Sequence, residues 1–362
     1  MVWDVVVVGA GMAGLLCARR LEQAGYQVRV LEKSRGLGGR MATRRVNDQP
    51  IDHGCRFITP TTPLIDQLVQ QLELQGLVRP WQPASYKVTP DGQLAVAAPK
   101  EWWVAPQGMT AIPKHLAENL GIDRQTRVLG LEAATDSWQI SLDEGSAAAS
   151  EPLTAQAVVL AVPAPQALEI LQTVKTQLDP AVWQGLEAVT FEASITVFAG
   201  YSSLPETRLA AGSEGWMVYG NPDTPFTWVG LDSGKRDCAS VPTVVIQSCD
   251  RFAQPYLSAP DLTEAGRHLL EQTAQILEKT LGPSLRQPDW IQVHRWRYAT
   301  TKSPFPKQSL VTAKPLPLVC CGDWCGGFDV NTAAASGWTA AEEIHNLLSE
   351  DSAQFSLQTS LV

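Results

Sequence analysis

The sequence predicts an α/β fold, α+β overall, in which a first domain built from several chain segments carries an inserted antiparallel-sheet domain. Three observations predict it. The chain opens with a strand–helix–strand unit over residues 5–8, 12–24 and 27–31. From residue 163 the pattern becomes rich in strands, interrupted by one long amphipathic helix over residues 263–281. An apolar strand at 316–321 and an Ala-rich helix at 332–348 then return to the first pattern.

Length and composition exclude several classes of protein. The chain has 362 residues, a length that suits two domains, and a formal net charge of −9 with 18% charged residues. An acidic chain of low charge density is a poor match for nucleic acid, which requires a basic face. No segment reaches the roughly 20 apolar residues of a membrane span, and no signal peptide is evident, so we expect a cytoplasmic protein.

The cysteines are interpreted as reduced thiols and not as ligands of a metal site. There are seven, an odd number, and the cluster Cys320, Cys321 and Cys325 lacks both a zinc-type spacing and a nearby His. No bound metal is expected.

The first motif is Gly9-Ala10-Gly11-Met12-Ala13-Gly14, which follows an apolar strand and opens a helix. Gly9 makes the tight turn, Gly11 admits a pyrophosphate, and Gly14 allows close packing of helix and strand. Glu32 ends the next strand and is placed for ribose hydroxyls. The spacing predicts a Rossmann-like domain that binds a dinucleotide at a helix N-terminus.

Two later segments favour FAD over NAD. Gly38, Gly39 and Arg40 supply close backbone approach and a rigid fork of donors for a phosphate. Near the C-terminus, Asp323 follows an apolar strand and is placed for ribityl or ribose hydroxyls. The small residues of 332–337 then begin a helix that Asp329 or Asn331 can cap, with its positive end toward the N1/C2 edge of a flavin.

With these motifs, the sequence resembles the renalase-type NAD(P)/FAD-dependent oxidoreductases of the GG-motif flavin amine-oxidase superfamily. The narrower likeness rests on Val-Ala-Pro-Gln-Gly at 104–108, Gly-Cys-Arg-Phe-Ile-Thr at 54–59, Leu-Ala-Val-Pro-Ala-Pro at 160–165 and Arg-Trp-Arg-Tyr at 295–298. The resemblance implies a two-domain fold of the p-hydroxybenzoate hydroxylase type with non-covalent FAD. The fingerprint and the resemblance together predict that the cofactor is held by Gly9, Gly11, Ala13, Gly14, Glu32, Lys33, Gly39, Arg40, Arg56, Phe57, Val128, Asp323, Val330, Asn331 and Thr332.

The resemblance also implies a reaction. Renalases oxidise isomeric dihydronicotinamides to β-NAD(P)⁺ and reduce O₂ to hydrogen peroxide, so the expected substrate is a nicotinamide nucleotide and the expected oxidant is O₂. This chain departs from animal renalases at Arg56-Phe57, where they carry Gln-Tyr. Phe57 keeps the aromatic ring and loses the hydroxyl.

The substrate-binding part of the site is predicted from residues 290–298, because ring side chains and arginines alternate over 294–298. As a strand, this segment places His294, Trp296 and Tyr298 on one face and the two arginines, Arg295 and Arg297, on the other. Aromatic rings suit a flat substrate ring, and arginines, together with Arg56, suit its phosphates. The alternative is that Trp296 is core and the arginines are solvated. The substrate-pocket candidates are Phe57, Trp296, Tyr298, Trp324 and Arg297.

The domain boundaries follow from the same segments. We expect residues 1–63, 104–165 and 315–350 in the FAD-binding domain, 64–103 and 166–314 in the substrate domain, and 351–362 as a polar tail. Three other functions remain open from the sequence: a flavin amine oxidase, a flavin-binding sensor or scaffold without catalysis, and a plain NAD-dependent dehydrogenase.

Overall fold

The structure is a computed structural model that describes residues 2–98, 100–145, 153–202, 214–237, 241–281 and 283–349. The predicted polar tail, 351–362, lies outside the described residues. Strands and helices are numbered below in chain order. The strands are β1 (Val2–Val8), β2 (Val28–Glu32), β3 (Thr43–Val46), β4 (Gln49–Asp52), β5 (Arg79–Trp81), β6 (Ala84–Val88), β7 (Leu94–Val96), β8 (Trp102–Val104), β9 (Ile122–Arg124), β10 (Val128–Ala133), β11 (Trp138–Leu142), β12 (Leu153–Leu160), β13 (Thr190–Gly200), β14 (Trp216–Tyr219), β15 (Phe226–Leu231), β16 (Thr243–Ser248), β17 (Trp290–Ser303), β18 (Leu310–Thr312) and β19 (Leu318–Cys320). The helices are α1 (Met12–Gln23), α2 (Pro63–Leu74), α3 (Ala111–Leu116), α4 (Ala164–Leu171), α5 (Pro180–Glu187), α6 (Asp250–Ala253), α7 (Thr263–Leu281) and α8 (Val330–Leu348).

The first sheet confirms the predicted Rossmann-like unit. Its order is β10-β11-β12-β1-β2-β9, and β19 pairs with β12 and β18. The ladders that join β12, β1, β2, β9 and β19 are parallel. Alternate residues of β1 enter two different cores, Val5 and Val7 on one face and Val6 and Val8 on the other. The unbroken valine run is therefore that of a parallel strand buried on both faces.

The second sheet has the order β17-β13-β16-β15-β14-β6-β7. All of its ladders are antiparallel except the one between β14 and β6. One face, with Ile195 and Val197, packs against the apolar side of α7. The other face, with Phe198 and Trp228, shares a core with the first sheet and α1. This second face is turned toward the cofactor-binding motifs.

Two local features differ from the prediction. From the sequence alone, residues 108–120 predict a helix, but the structure has only Ala111–Leu116, which begins after a turn at Gly108, where φ is +100°. The hairpin of β3 and β4 was not predicted, although Asn47 and Asp48 connect its strands with φ of 48° and 63°. Two successive positive φ values define the tight hairpin turn that Asn and Asp tolerate.

The mixed α/β fold class is confirmed, and the domain boundaries given above stay predictions. The strands of the first sheet come from residues 2–32, 122–160 and 310–320, and those of the second from 84–96 and 190–303. None of the described helices combines the length and the apolar character needed to cross a membrane.

Helices α1 and α8 cross in direct backbone contact at Gly337. A Cβ at this position would lie 2.1 Å from the backbone oxygen of Ala13, so only glycine fits. The contact holds the last described helix against the helix that opens the dinucleotide motif.

We expect Gly337→Ala to lower the free energy of unfolding by about 1–3 kcal/mol, because backbone atoms must separate to admit the methyl group. Denaturant unfolding measures this loss. Gly145→Ala is the matched control, since a Cβ at Gly145 meets no atom within 4 Å. Equal stability of the two variants would contradict the close crossing.

Candidate active site

The glycine motif forms an open cradle at the start of α1. Gly9 has a φ of +106°, and a Cβ there would lie 2.6 Å from the backbone oxygen of Ala161. At Gly14 a Cβ would lie 2.0 Å from the Gly9 oxygen, whereas at Gly11 it would meet nothing within 4 Å. The N-cap residue Gly11 offers no side-chain cap, and the first turn of α1 has no acidic residue. The first N–H groups of the helix thus face space that suits a pyrophosphate.

Glu32 lies beside this cradle at the end of β2. Its carboxylate is buried and accepts hydrogen bonds from the N–H groups of Ala10 (2.9 Å) and Ser34 (2.8 Å). A cavity of about 290 Å³ opens next to it. The predicted cofactor residues that line this cavity are Gly9, Glu32, Lys33 and Val128. The structure therefore brings together the residues expected at the adenosine end of the cofactor.

Arg297 and Tyr298 also line this cavity, which corrects their assignment to the substrate pocket. The cause is an irregularity in β17. Ser194 of β13 pairs with Trp296, but Glu192, two residues away, pairs with Thr300, four residues away. This bulge interrupts the predicted alternation after Trp296, so that neighbouring residues reach the same cavity.

Arg40 and Asp323 contact each other directly. The guanidinium donates two hydrogen bonds of 2.6 Å to the two carboxylate oxygens, and a longer one of 3.4 Å to the backbone oxygen of Ala299. Both residues were predicted to bind the cofactor separately, Arg40 through a phosphate. Within the described part of the chain, this geometry leaves the Arg40 Nε–H for a ligand. A Cβ at Gly39 would lie 3.7 Å from the Cα of Gly11, at ordinary van der Waals distance, so the two glycine motifs approach each other closely.

The start of α8 also belongs to the predicted cofactor site. Asp329 caps the helix by accepting a hydrogen bond of 2.9 Å from the Thr332 N–H. The Asn331 amide instead bridges Thr59 and Thr61, at 3.0 and 2.9 Å. The Thr332 N–H is thus taken by the cap, and among the described residues only the N–H groups of Val330 and Asn331 are left for a ligand at this helix start. The cofactor role of these three residues stays a prediction.

Trp324 lies elsewhere than predicted. Its side chain has no exposed surface, and its Nε1–H donates a hydrogen bond of 3.0 Å to the backbone oxygen of Val162. The indole belongs to the core around α4 and α5.

Residues 53–57, here called the docked loop, lie along the second sheet. Side-chain hydrogen bonds hold them to this sheet. Trp296 Nε1 donates to His53 O (2.9 Å) and Gln247 Nε2 donates to Gly54 O (2.6 Å). Arg56 donates to Gln247 Oε1 through Nε and to Thr227 Oγ1 (3.4 Å) through Nη2. The Arg56 guanidinium also lies 5.1 Å from the centre of the Trp228 ring. Phe57 meets Trp102 edge to face at a centroid distance of 6.0 Å and lies tilted to Trp81 at 6.2 Å. The loop thus presents one cation and several aromatic rings.

Beneath the docked loop, six directly paired residues form a cross-strand row on one face of the sheet. From β17 to β6 the row consists of His294, Thr196, Gln247, Trp228, Tyr219 and Lys87. Of these, only His294 was singled out from the sequence. The others depend on strand register, for which a single strand gives no signal.

Four buried charges anchor the start of the docked loop, and we call them the ion quartet: Asp52, Asp232, Lys235 and Arg236. Asp52 Oδ2 lies 3.3 Å from Lys235 Nζ and 2.7 Å from Arg236, and Asp232 lies 2.6 and 2.8 Å from the same two cations. Neither aspartate nor the lysine has more than 1% of its surface exposed. Burial opposes ionisation of Asp52, but Arg236 and Lys235 outweigh it and hold its pKa below the usual range.

The electrostatics of the loop and row are set by burial. Desolvation lowers the pKa of the His53 imidazole to about 3, with His294 and Arg44 adding to the effect. Burial likewise lowers the pKa of His294 to about 4. Both rings are therefore neutral at pH 7, whereas Arg56, with a pKa lowered by burial to about 10, stays charged.

Comparison with known proteins identifies two family regions. The NAD(P)-binding Rossmann-like domain matches residues 7–72, and the flavin containing amine oxidoreductase family matches residues 89–345. Putrescine oxidase of Kocuria rosea is 28% identical over 241 residues, which make up 63% of this chain and 50% of that protein. A putative flavin-containing monoamine oxidase, AofH, of Mycobacterium tuberculosis is 48% identical over 69 residues, 19% of this chain and 15% of that protein. The matches thus span half or less of the length of these curated relatives.

Solved structures share the fold. Putrescine oxidase bound to putrescine superposes with a TM-score of 0.72 at 16% identity, covering 96% of this chain and 99% of that one. Cyclohexylamine oxidase from Brevibacterium oxydans gives a TM-score of 0.71 at 15% identity, covering 96% of this chain and 100% of that one.

We expect Asp52→Asn to lower the free energy of unfolding by about 3–5 kcal/mol, because it leaves two buried cations with one carboxylate. Denaturant unfolding at neutral pH measures the loss. The control is Glu118→Gln, whose carboxylate is 62% exposed beside His115, and which should change stability by less than about 0.5 kcal/mol. A small effect at Asp52 would show that the quartet is not needed for stability.

The neutral His53 predicts a pH dependence. Its folded pKa lies below the unfolded value of about 6.5, so the unfolded state binds the proton first, and stability falls as the pH drops below about 6.5. His53→Phe keeps the stack on Trp296 but removes the titration, and should reduce this slope by up to about 1.4 kcal/mol per pH unit. Unfolding of the apoprotein at several pH values measures it, with the exposed His268→Phe as control. Identical slopes in wild type and His53→Phe would refute the assignment.

Proposed function

Because the chain belongs to the flavin-containing amine oxidoreductase family, we propose that it is a FAD-dependent oxidoreductase that takes a hydride from a dihydronicotinamide-type substrate and reduces O₂ to hydrogen peroxide. Isomeric forms of NAD(P)H are the expected substrates. FAD supplies the hydride acceptor at its flavin N5 and passes the electron pair on to O₂.

The described residues fit FAD. The uncapped start of α1 and the open space at Gly11 suit its pyrophosphate, and Glu32 suits the adenosine ribose. The Arg40–Asp323 pair supplies donors and acceptors next to the start of α8. Burial raises the pKa of the Cys320 thiol to about 12 and also raises that of Cys325, so neither thiol supports a covalent link to the cofactor.

One observation carries the choice of substrate: the cation at the site is Arg56, and the docked loop and the cross-strand row contain no carboxylate. A protonated amine would meet the like charge of Arg56, which costs affinity. A nicotinamide nucleotide brings phosphates and a carboxamide that a guanidinium can bind. Arg56 is a specificity residue in this proposal.

The aromatic groups suit the change in the substrate during oxidation. When a dihydronicotinamide ring loses a hydride it becomes a flat aromatic cation. The half-buried rings of Phe57, Tyr219 and Trp296 offer π faces and edges for stacking, and a π face attracts a developing positive charge. No strong base is needed, and the neutral His53 and His294 are consistent with this.

Oxidation of an amine is the second candidate. It is favoured by the similarity to putrescine oxidase and by the same aromatic rings, which suit a cage around an amine nitrogen. A flavin-binding sensor or scaffold without catalysis is a third, since cofactor motifs report binding and not turnover.

The test is anaerobic mixing of the holoenzyme with reduced nicotinamide mononucleotide isomers, with putrescine and with benzylamine. We expect the nucleotides to bleach the flavin band near about 450 nm and the amines to leave it unchanged. Arg56→Gln should raise KM for the nucleotides by about tenfold, as for loss of a charged hydrogen bond, with Arg267→Gln on α7 as control.

Two outcomes would contradict the proposal. Bleaching by amines and not by dihydronicotinamides assigns an amine oxidase. A holoenzyme that no reductant bleaches, and that forms no peroxide, assigns a binding protein.

A further inference from the structure

The cross-strand row continues past its aromatic members to a cation at the edge of the sheet. Tyr219 of β14 pairs with Lys87 of β6, and Tyr219 pairs on its other side with Trp228. Directly paired residues share a face, so Lys87 belongs to the same face as Tyr219 and the docked loop. The burial pattern agrees, since the neighbours Tyr86 and Val88 pack into the core on the α7 side.

Lys87 is free to bind a ligand. Its side chain is exposed, and among the residues that the structure describes it has no hydrogen-bond or ion-pair partner. The acidic residue of the adjoining hairpin turn, Asp91, already accepts a hydrogen bond of 2.5 Å from Thr89. Lys87 therefore presents an uncompensated positive charge in a chain whose net charge is −9.

Along the cross-strand row, the aromatic residues Trp228 and Tyr219 come before the positive charge of Lys87. Neighbouring strands lie about 4.8 Å apart, so the backbone of Lys87 lies roughly 10 Å from that of Trp228, with Tyr219 between them. Arg56 marks the Trp228 end, since it lies over that ring. A nicotinamide ribonucleotide has a matching layout, with a flat ring at one end, a ribose in the middle and a 5′-phosphate at the other.

We infer that Lys87, at the end of the cross-strand row, forms a subsite for the 5′-phosphate of the substrate. The inference rests on the proposed function, since it places the phosphate of that substrate. The nicotinamide ring lies toward Arg56 and Phe57, and the ribose crosses the row between them. An ammonium group on a flexible stem binds a phosphate as a point charge, without the fixed geometry of a guanidinium.

The test compares the reduced riboside of nicotinamide with its mononucleotide, which differ only by the 5′-phosphate, and adds the dinucleotide. With wild-type holoenzyme we expect kcat/KM to be about tenfold higher for the mononucleotide than for the riboside, through KM. Lys87→Gln should bring this ratio close to one, and Lys87→Arg should restore most of it. The control Lys279→Gln, on the opposite side of the sheet, should keep the wild-type ratio. Added salt should lower the ratio in wild type and leave Lys87→Gln unchanged.

The dinucleotide carries the same 5′-phosphate within a pyrophosphate, so a loss of similar size on Lys87→Gln is expected for it as well. Retention of the wild-type ratio by Lys87→Gln, or equal use of riboside and mononucleotide by wild type, would overturn the subsite alone. If neither the riboside nor the mononucleotide reduces the flavin, the proposed function fails, and the subsite fails with it.

Discussion

Four charged groups buried at one point hold the docked loop where the two sheets meet. Moving an ion out of water costs several kcal/mol, and this cost is offset only where every charge has a partner at hydrogen-bond distance. Asp52 has more partners than the salt bridges alone provide. Its second oxygen accepts bonds from the Thr43 hydroxyl (2.7 Å) and the Met109 N–H (2.8 Å). Arg236 adds a bond of 2.9 Å to the backbone oxygen of Ala105.

The ion quartet therefore ties three segments that are far apart in the chain: β4, the turn at 105–109 and the turn at 232–236. The docked loop leaves Asp52 directly, so its first residue starts from a fixed point. Hydrogen bonds from Trp296 and Gln247 then set its path along the second sheet. The docked loop and the cross-strand row are thus fixed relative to each other by the same contacts, and the position of Arg56 depends on both.

The parts of the fold and site that could be predicted from the sequence are those set by interactions between residues close together in the chain. The cradle at Gly9, Gly11 and Gly14 was readable because its constraints are steric and local to one turn. The Arg40–Asp323 pair was not predicted from the sequence, because its residues lie 283 positions apart in the chain. Each of the two was instead expected to bind a different part of the cofactor. The bulge in β17 moved Arg297 and Tyr298 to the adenosine cavity, because pairing with β13, and not the sequence of β17, sets that register. The row, the quartet and the burial of Trp324 likewise arise from long-range packing.

The crossing of α1 and α8 also bears on how the chain is made. Ribosomal synthesis proceeds from the N-terminus, so β1, α1 and β2 emerge first. The strand β19, which pairs with β12, and the helix α8, which covers α1, emerge only after the entire second sheet. A nascent chain that stops before residue 318 has an unpaired edge on β12 and an uncovered apolar face on α1. The first sheet can therefore close only after β19 has been made, and until then β12 keeps an open edge that can pair with other chains.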